Sequence, residues 1–237
     1  MPDFPAFDLV LPCYNPAPRW AHNVLASVGR LVRLLGGTVP HVVVVNDGSA
    51  TGIAPADLAL LEAGLAEFTY VHCPLNQGKG HALRQGVAHT HHALCVFTDI
   101  DFPYQETSLV RLVQALAQGQ ADIVAGVRDP HYYAQVPAAR VVISKTLRFL
   151  TRQFLRLPIS DTQTGLKGFN EAGRAVFLQT QTRRYLFDLE FLYLAARQPG
   201  LRTVALEVQL KPGVVFSRMN LKVLLTEGSN FVRLLLR

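Results

Sequence analysis

The stretch "VFTDIDFPY" (96–104) decides how this chain is read. A short apolar run leads directly into Asp99 and Asp101. On an extended backbone side chains alternate faces with period two, so both carboxylates are expected to point the same way from the end of a buried strand. Like charges placed side by side repel, and a divalent cation, an arginine or water must compensate them. Phe97, Ile100, Phe102 and Tyr104 flank the pair, which makes water scarce and unpaired charge costly. A hard divalent ion shared with a diphosphate resolves the repulsion, because magnesium typically binds through one or two carboxylates plus substrate phosphates.

Working outward, "FDLVLPC" (7–13), "HVVVVND" (41–47), "FTYVHC" (68–73), "ALCVFTD" (93–99) and "ADIVAG" (121–126) read as buried strands. Helical spacing occupies about 19–36, 55–66, 79–91 and 106–118. Strand and helix alternate four times, which predicts an α/β fold with a mostly parallel central sheet covered by helices. Ligands of such sheets bind outside the carboxyl ends of the strands. The polar motifs fall there: "PCYNP" after the first strand, "NDGS" after the second, "LNQGKG" after the third and "TDIDFPY" after the fourth.

Each motif alone has a plainer reading. "NDGS" is good turn chemistry. "NQGKG" is the start of a helix, although the amides of Gly78 and Gly80 with Lys79 also suit a phosphate at a helix N-terminus. It lacks the spacing of a P-loop, and no G-x-G-x-x-G follows the first strand, which argues against a nicotinamide or flavin enzyme. "HTHH" (89–92) reads as solvated histidines at a helix end.

At 237 residues, 49% hydrophobic and 17% charged, the chain is globular and long enough for a substantial core. After residue 130 the alternation gives way to basic helix, short strand, helix, strand and helix, with no linker between the halves. The expectation is one domain over 1–237, in two halves, 1–130 and 131–237. Cys13, Cys73 and Cys95 lie in strand-like runs at spacings that match no zinc site, so they are read as reduced core residues. Lys plus Arg (23) exceed Asp plus Glu (17), a formal +6 that favours anionic partners such as phosphates or acidic lipid. No nucleic-acid partner is assigned. No apolar run approaches a membrane span and the opening residues lack a signal core, so the chain is expected neither to span nor to be exported.

Taken in order, these motifs resemble glycosyltransferase family 2, the inverting sugar-nucleotide transferases of the GT-A fold. The resemblance implies that Pro12, Tyr14 and Asp47 hold the nucleoside, that Asp99, Ile100 and Asp101 form the D-x-D motif for ribose and metal, and that Arg128 of "AGVRD" is the G-x-R arginine. Lys79 and Arg218 join the nucleotide-sugar set, and Asp99 and Asp101 are the implied ligands of Mg2+ or Mn2+. "DTQTGLKGFN" (161–170) and "RRYLFDLEFL" (183–192) are similar to segments of the branch that includes dolichyl-phosphate mannose synthase, dolichyl-phosphate glucosyltransferase and bacterial polyprenyl-phosphate glycosyltransferases. That likeness implies hexose transfer from a UDP- or GDP-sugar to a polyprenyl phosphate, with Asp101, Asp161, Asp188 and Arg128 at the chemistry. Three prolines depart from the pattern: Pro16 replaces an acid after Asn15, Pro103 stands where a metal-binding glutamine is found with Gln105 nearby, and Pro212 replaces an arginine. The last departure shifts diphosphate binding toward Arg218 and Lys211. The alternatives are transfer to a saccharide hydroxyl, with Asp188 as base, and a sugar-nucleotide-binding protein without turnover.

Residues 140–157 place Ile143, Leu147, Leu150, Phe154 and Leu157 on one helical stripe and Lys145, Arg148, Arg152 and Arg156 opposite. The tail 221–237 repeats the device. Such helices lie in a membrane interface or pack on a core with a solvated basic face. Beside a lipid-phosphate resemblance, they favour a peripheral protein on the cytoplasmic face of a membrane.

Overall fold

A computed structural model describes residues 4–128 and 161–214, with positions 141, 144–146, 148, 149, 151–155, 157 and 159 between them. In chain order the elements are β1 (Phe7–Cys13), α1 (Trp20–Leu34), β2 (His41–Asp47), α2 (Pro55–Gly64), β3 (Phe68–Cys73), α3 (Lys79–Val87), β4 (Leu94–Phe97), α4 (Glu106–Ala117) and β5 (Ile123–Arg128). A π-helical turn (Thr151–Leu155), β6 (Lys167–Phe169), α5 (Glu171–Phe177), α6 (Phe187–Ala195) and β7 (Thr203–Val208) follow.

The strands form one sheet in the order β3-β2-β1-β4-β6-β5-β7. All neighbours are parallel except β6, which runs antiparallel to both β4 and β5. The continuous apolar runs of β1 and β2 are explained by burial on both faces. Val10, Val43, Val45 and Phe97 pack toward α3, α5 and α6, while Leu9, Leu11, Val42 and Val44 pack with Trp20 and Leu31 of α1 and Leu112 of α4. Phe97, Phe169, Phe177 and Phe191 carry much of the first cluster, with Phe177 and Phe191 edge to face at 5.1 Å. Cys13, Cys73 and Cys95 are free and buried, and burial pushes the Cys13 thiol up to about 12.

Two expectations are corrected. Strand β4 ends at Phe97, and the acidic pair stands in a tight turn in which the Phe102 amide donates to the Asp99 carbonyl at 3.0 Å. The two acids therefore do not project from an extended backbone. Phe102 adopts a left-handed φ of 48° and buries its ring, 3% exposed, in the α1/α4 cluster. Burying that ring offsets the roughly 1–2 kcal/mol of the left-handed backbone. The short strand expected after the basic segment is β6, three residues long and antiparallel to both neighbours, through which the sheet completes itself. Second, α3 stops at Val87, so His89–His92 lie in the connection to β4 rather than on a helix.

Within the basic segment, Lys145 and Phe149 are exposed, whereas Leu155, Leu157 and Ile159 join the core. Ile143, Leu147, Leu150, Arg156, Arg218 and the tail 221–237 lie outside the described residues, as do the side chains of Arg152 and Phe154.

Two glycines test the packing. In α3, a Cβ on Gly86 would collide with Val10 and meet Val45 at 2.7 Å, whereas one on Gly29 in α1 would find only Arg33 Nη1 at 3.9 Å. Gly29→Ala is expected to stabilise by about 0.5–1 kcal/mol through helix propensity. Gly86→Ala is expected to lose about 1–3 kcal/mol to overpacking. Urea midpoints at constant slope measure both.

Candidate active site

Strands β1, β2 and β4 end at one edge of the sheet, and the connections that follow them converge there. Pro12 pairs with Val45 inside β1, and the Tyr14 ring just beyond is exposed. Asn15 fastens this loop to the next: its amide donates to Ser49 Oγ at 2.9 Å and its side-chain oxygen accepts from the Ala50 amide at 3.0 Å.

Asp47 closes β2 with a buried carboxylate. Its oxygens accept from the Gln77 amide at 3.0 Å, the Gly78 amide at 2.8 Å and Asn76 Nδ2 at 3.1 Å. This clamp fixes the loop between β3 and α3. Gly78 and Gly80 are buried rather than open to a phosphate, because the 182–187 segment covers them. A Cβ on Gly78 would stand 2.5 Å from the Arg183 carbonyl, and one on Gly80 2.6 Å from Phe187 Cβ. Glu190 braces the covering segment by accepting from the Gln181 and Thr182 amides at 2.9 and 2.6 Å.

Held in this way, Lys79 reaches across from the start of α3 to Asp99 and forms an ion pair with its Oδ1. Burial acts to lower the ammonium, but Asp99, Asp188 and Asp101 outweigh it and hold Lys79 above its usual value. A Cβ on Gly165 would collide with Asp99 Oδ2, so that glycine admits the carboxylate at close range. Ile100 turns toward the apolar cluster, while Asp101 is exposed beside the cleft. Crowding by the cleft and the Asp99 charge push the Asp101 carboxyl above the usual range.

Deeper, Lys167 is fully buried and donates to Asp188 at 2.6 Å and to the Thr164 carbonyl at 2.5 Å. Burial drives the two groups toward neutrality, the Asp188 carboxyl up and the Lys167 ammonium down, against their mutual attraction. Lys167 escaped the candidate set drawn from sequence, although a lysine inside the apolar "GLKGF" was the signal for it. Tyr104 is a second such residue, its hydroxyl accepting from the Gly165 amide at 3.2 Å.

Arg128, at the end of β5, and Asp161 form a second buried pair. The Arg128 amide donates to Asp161 Oδ2 at 2.8 Å, and its guanidinium contacts both carboxylate oxygens. Burial alone would raise the Asp161 carboxyl, but the Arg128 hydrogen bonds and charge hold it below the ordinary 3.8. Lys211 does not stand open to a diphosphate: its amide donates to the Pro103 carbonyl at 2.8 Å and its ammonium to Glu106 at 2.7 Å. Gln105 supplies its amide to the Gln209 carbonyl at 2.9 Å. The structure thus gathers Lys79, Asp99, Asp101, Asp161, Arg128 and Asp188 at or beneath one edge, with Pro12 and Tyr14 on the adjoining loop.

Solved structures similar in fold to this chain include glucosyl-3-phosphoglycerate synthase from Mycobacterium tuberculosis in complex with Mn2+, uridine diphosphate and glucosyl-3-phosphoglycerate. It superposes with a TM-score of 0.64 at 20% identity, covering 98% of this chain and 79% of that one. Mannosyl-3-phosphoglycerate synthase from Rubrobacter xylanophilus gives 0.65 at 16% identity, covering 98% and 73%. The architecture is the GT-A glycosyltransferase fold. Residues 8–173 match the description of Glycosyl transferase family 2, and the chain belongs to that family.

Its curated relatives include Glycosyltransferase AglD of Haloferax volcanii, 29% identical over 206 residues that cover 86% of this chain and 33% of that protein. A dolichyl-phosphate beta-glucosyltransferase of Drosophila melanogaster is 28% identical over 208 residues, covering 81% and 64%, and that of Saccharomyces cerevisiae is 25% identical over 209 residues, covering 80% and 62%. The chain spans between a third and two thirds of the length of these relatives.

The Arg128–Asp161 pair makes a two-part prediction. Asp161→Asn leaves a buried guanidinium uncompensated and is expected to cost about 3–5 kcal/mol, whereas Arg128→Met with Asp161→Leu recovers most of that stability. The sign with pH follows from the lowered carboxyl: its contribution is complete above the unfolded value near 3.8 and is lost as pH falls through the folded value. Denaturant titrations of wild type and both variants between neutral and acid pH measure the difference.

Proposed function

We propose that this chain is an inverting glycosyltransferase that moves a hexose from a nucleoside diphosphate sugar to a polyprenyl phosphate. The observation that carries the reading is the convergence of the acidic turn, Lys79 and the two buried ion pairs at one sheet edge, in a family whose relatives include dolichyl-phosphate beta-glucosyltransferases.

The loops after β1 and β2 form the nucleoside side of the cleft, with the exposed Tyr14 available to the base and Pro12 and Asp47 shaping the floor. Ile100 seats the D-x-D turn. Asp99 and Asp101 are an oxygen-only donor set of two like charges close together, which fits Mg2+ or Mn2+. Among the described residues no third carboxylate, thiolate or imidazole converges with them, so phosphate oxygens and water complete such a shell. A cation held there supplies counter-charge to the departing diphosphate. Lys79 orients Asp99, and Arg128, fixed by Asp161, adds a guanidinium of set direction.

The acceptor argument turns on Asp188. A hydroxyl acceptor needs a base, and the candidate base is bound to Lys167 beneath the cleft, 4% exposed. A phosphate is already an anion near neutral pH and needs positioning rather than deprotonation. Asp188 then acts through Lys167, and Asp161 through Arg128.

Among the described residues no helix is long and apolar enough to cross a membrane. We place the protein at the cytoplasmic face, docked through the 140–157 segment, where Lys145 and Phe149 are exposed together. A basic side chain beside an anionic surface contributes about 1 kcal/mol before screening.

Incubation with labelled UDP- or GDP-hexose, Mn2+ and short-chain polyprenyl phosphate is expected to move label into the organic phase. Label that stays in water, or that transfers to a sugar alcohol, overturns the acceptor assignment. Asp101→Asn is expected to reduce transfer by about 100-fold or more. The same change removes a like charge from a carboxyl already pushed up, so the unfolding midpoint should hold or rise. Near-normal turnover of that variant at saturating metal would refute the role given to the turn.

A further inference from the structure

The amino ends of β1, β2 and β4 meet at the opposite edge of the sheet from the D-x-D turn, and the histidines of "HTHH" lie there. We infer that Glu67, His91 and His92 form a second metal site, suited to a divalent transition ion of the zinc class.

The geometry is that of a three-ligand face. Glu67 Oε2 stands 3.6 Å from His91 Nε2 and 3.5 Å from His92 Nε2, and all three ligand atoms lie within 4.8 Å of one another. Two ligands on a tetrahedral zinc, each about 2.0–2.1 Å from the ion, are about 3.3 Å apart, so a small side-chain adjustment closes the site. His92 Nε2 is buried and has no hydrogen-bond partner among the described residues, the state of a nitrogen poised for a ligand. The two rings pack at 4.3 Å between centroids, and His91 and Glu67 are more than half exposed, which leaves room for water as a further ligand.

Behind this face is a supporting layer. The other ring nitrogen of His91 lies 4.0 Å from the fully buried Asp8 carboxylate, on the side away from Glu67 where a modest approach would let the carboxylate orient a metal-bound imidazole. Asp8 also accepts from the His91 and His92 amides at 3.3 and 2.9 Å and lies 2.7 Å from His41 Nδ1. His41 Nε2 lies 2.9 Å from Thr69 Oγ1, so this ring supports and does not ligate. Arg174, the cation nearest the cluster, is turned to the His92 carbonyl and to Asp8 at 3.7 Å. An imidazole–carboxylate set of this kind selects zinc, cobalt or nickel over magnesium, in contrast to the oxygen-only pair at the other edge. The ion would tie the start of β3 to the connection before β4 and stiffen the sheet edge.

The test uses chelator-treated protein in excess Mg2+, which fills the hard-oxygen site, titrated with Zn2+ by equilibrium dialysis and with Co2+ by visible absorption. One Zn2+ per chain is expected, with a rise in Tm, and with Co2+ bands of a low-symmetry nitrogen and oxygen shell. Glu67→Gln and His91→Ala alter exposed side chains and should fold normally while weakening binding about tenfold or more. Asp101→Asn should leave this Zn2+ affinity unchanged. Zinc binding and a Tm shift that persist in both Glu67→Gln and His91→Ala, or that vanish in Asp101→Asn, would overturn the assignment and return the cluster to an ordinary surface ion pair.

Discussion

Lys79 enters the cleft from the first turn of α3 and meets Asp99 just beyond the end of β4. Around this contact the other groups take their places. Asp47 holds the loop that delivers the lysine, the 182–187 segment presses on the glycines that flank it, and Gly165 leaves space for the carboxylate. Lys167 and Asp188 lie one layer further in, and their charges reach Lys79, so acids and bases alternate from the solvent inward. In such a series each charge offsets part of its neighbour's burial cost, enough to hold Lys79 above its usual value although Lys167 and Asp188 are still driven toward neutrality.

The α/β class and the carboxyl-edge location of the site were legible because they depend on composition over long windows. Five apolar runs, each bounded by polar turn residues, mark the first five of the seven strands with little help from tertiary context. Asp99 could be picked out as a charge at the end of an apolar run, and Asp47 and Asp161 because their motifs resemble those of the family. Their partners could not. Nothing in "NQGKG" says that its lysine, rather than its amides, addresses the acidic turn. That outcome depends on Asp47 taking the amides first. The turn itself was hidden for a related reason: burial of Phe102 overrides the extended geometry that "VFTDID" favours locally.

A short strand after the basic segment was expected, but neither its bounds nor its antiparallel place between β4 and β5. Its three residues, Lys167 to Phe169, carry no periodic signal, and one of them is a lysine buried completely. A buried lysine inside a strand contradicts the hydrophobic pattern by which strands are recognised. It is tolerated here because the strand places the ammonium against Asp188 and the Thr164 carbonyl. Local rules fail at this point because the position serves the site more than the core.

The placement of β6 also constrains how the sheet can be assembled. It lies between β4 and β5, so these two strands, adjacent in sequence, share no hydrogen bonds with each other. As the chain leaves the ribosome, β1 to β4 can pair as they appear, but β5 has no neighbour until residues 167–169 emerge to bridge it. The carboxyl edge is therefore completed late and from distant sequence, a high-contact-order step of the kind that folds slowly. A fragment ending near residue 130 would retain the motifs of the first four loops and still expose β4 and β5 as unpaired edges, an invitation to self-association that one short strand closes.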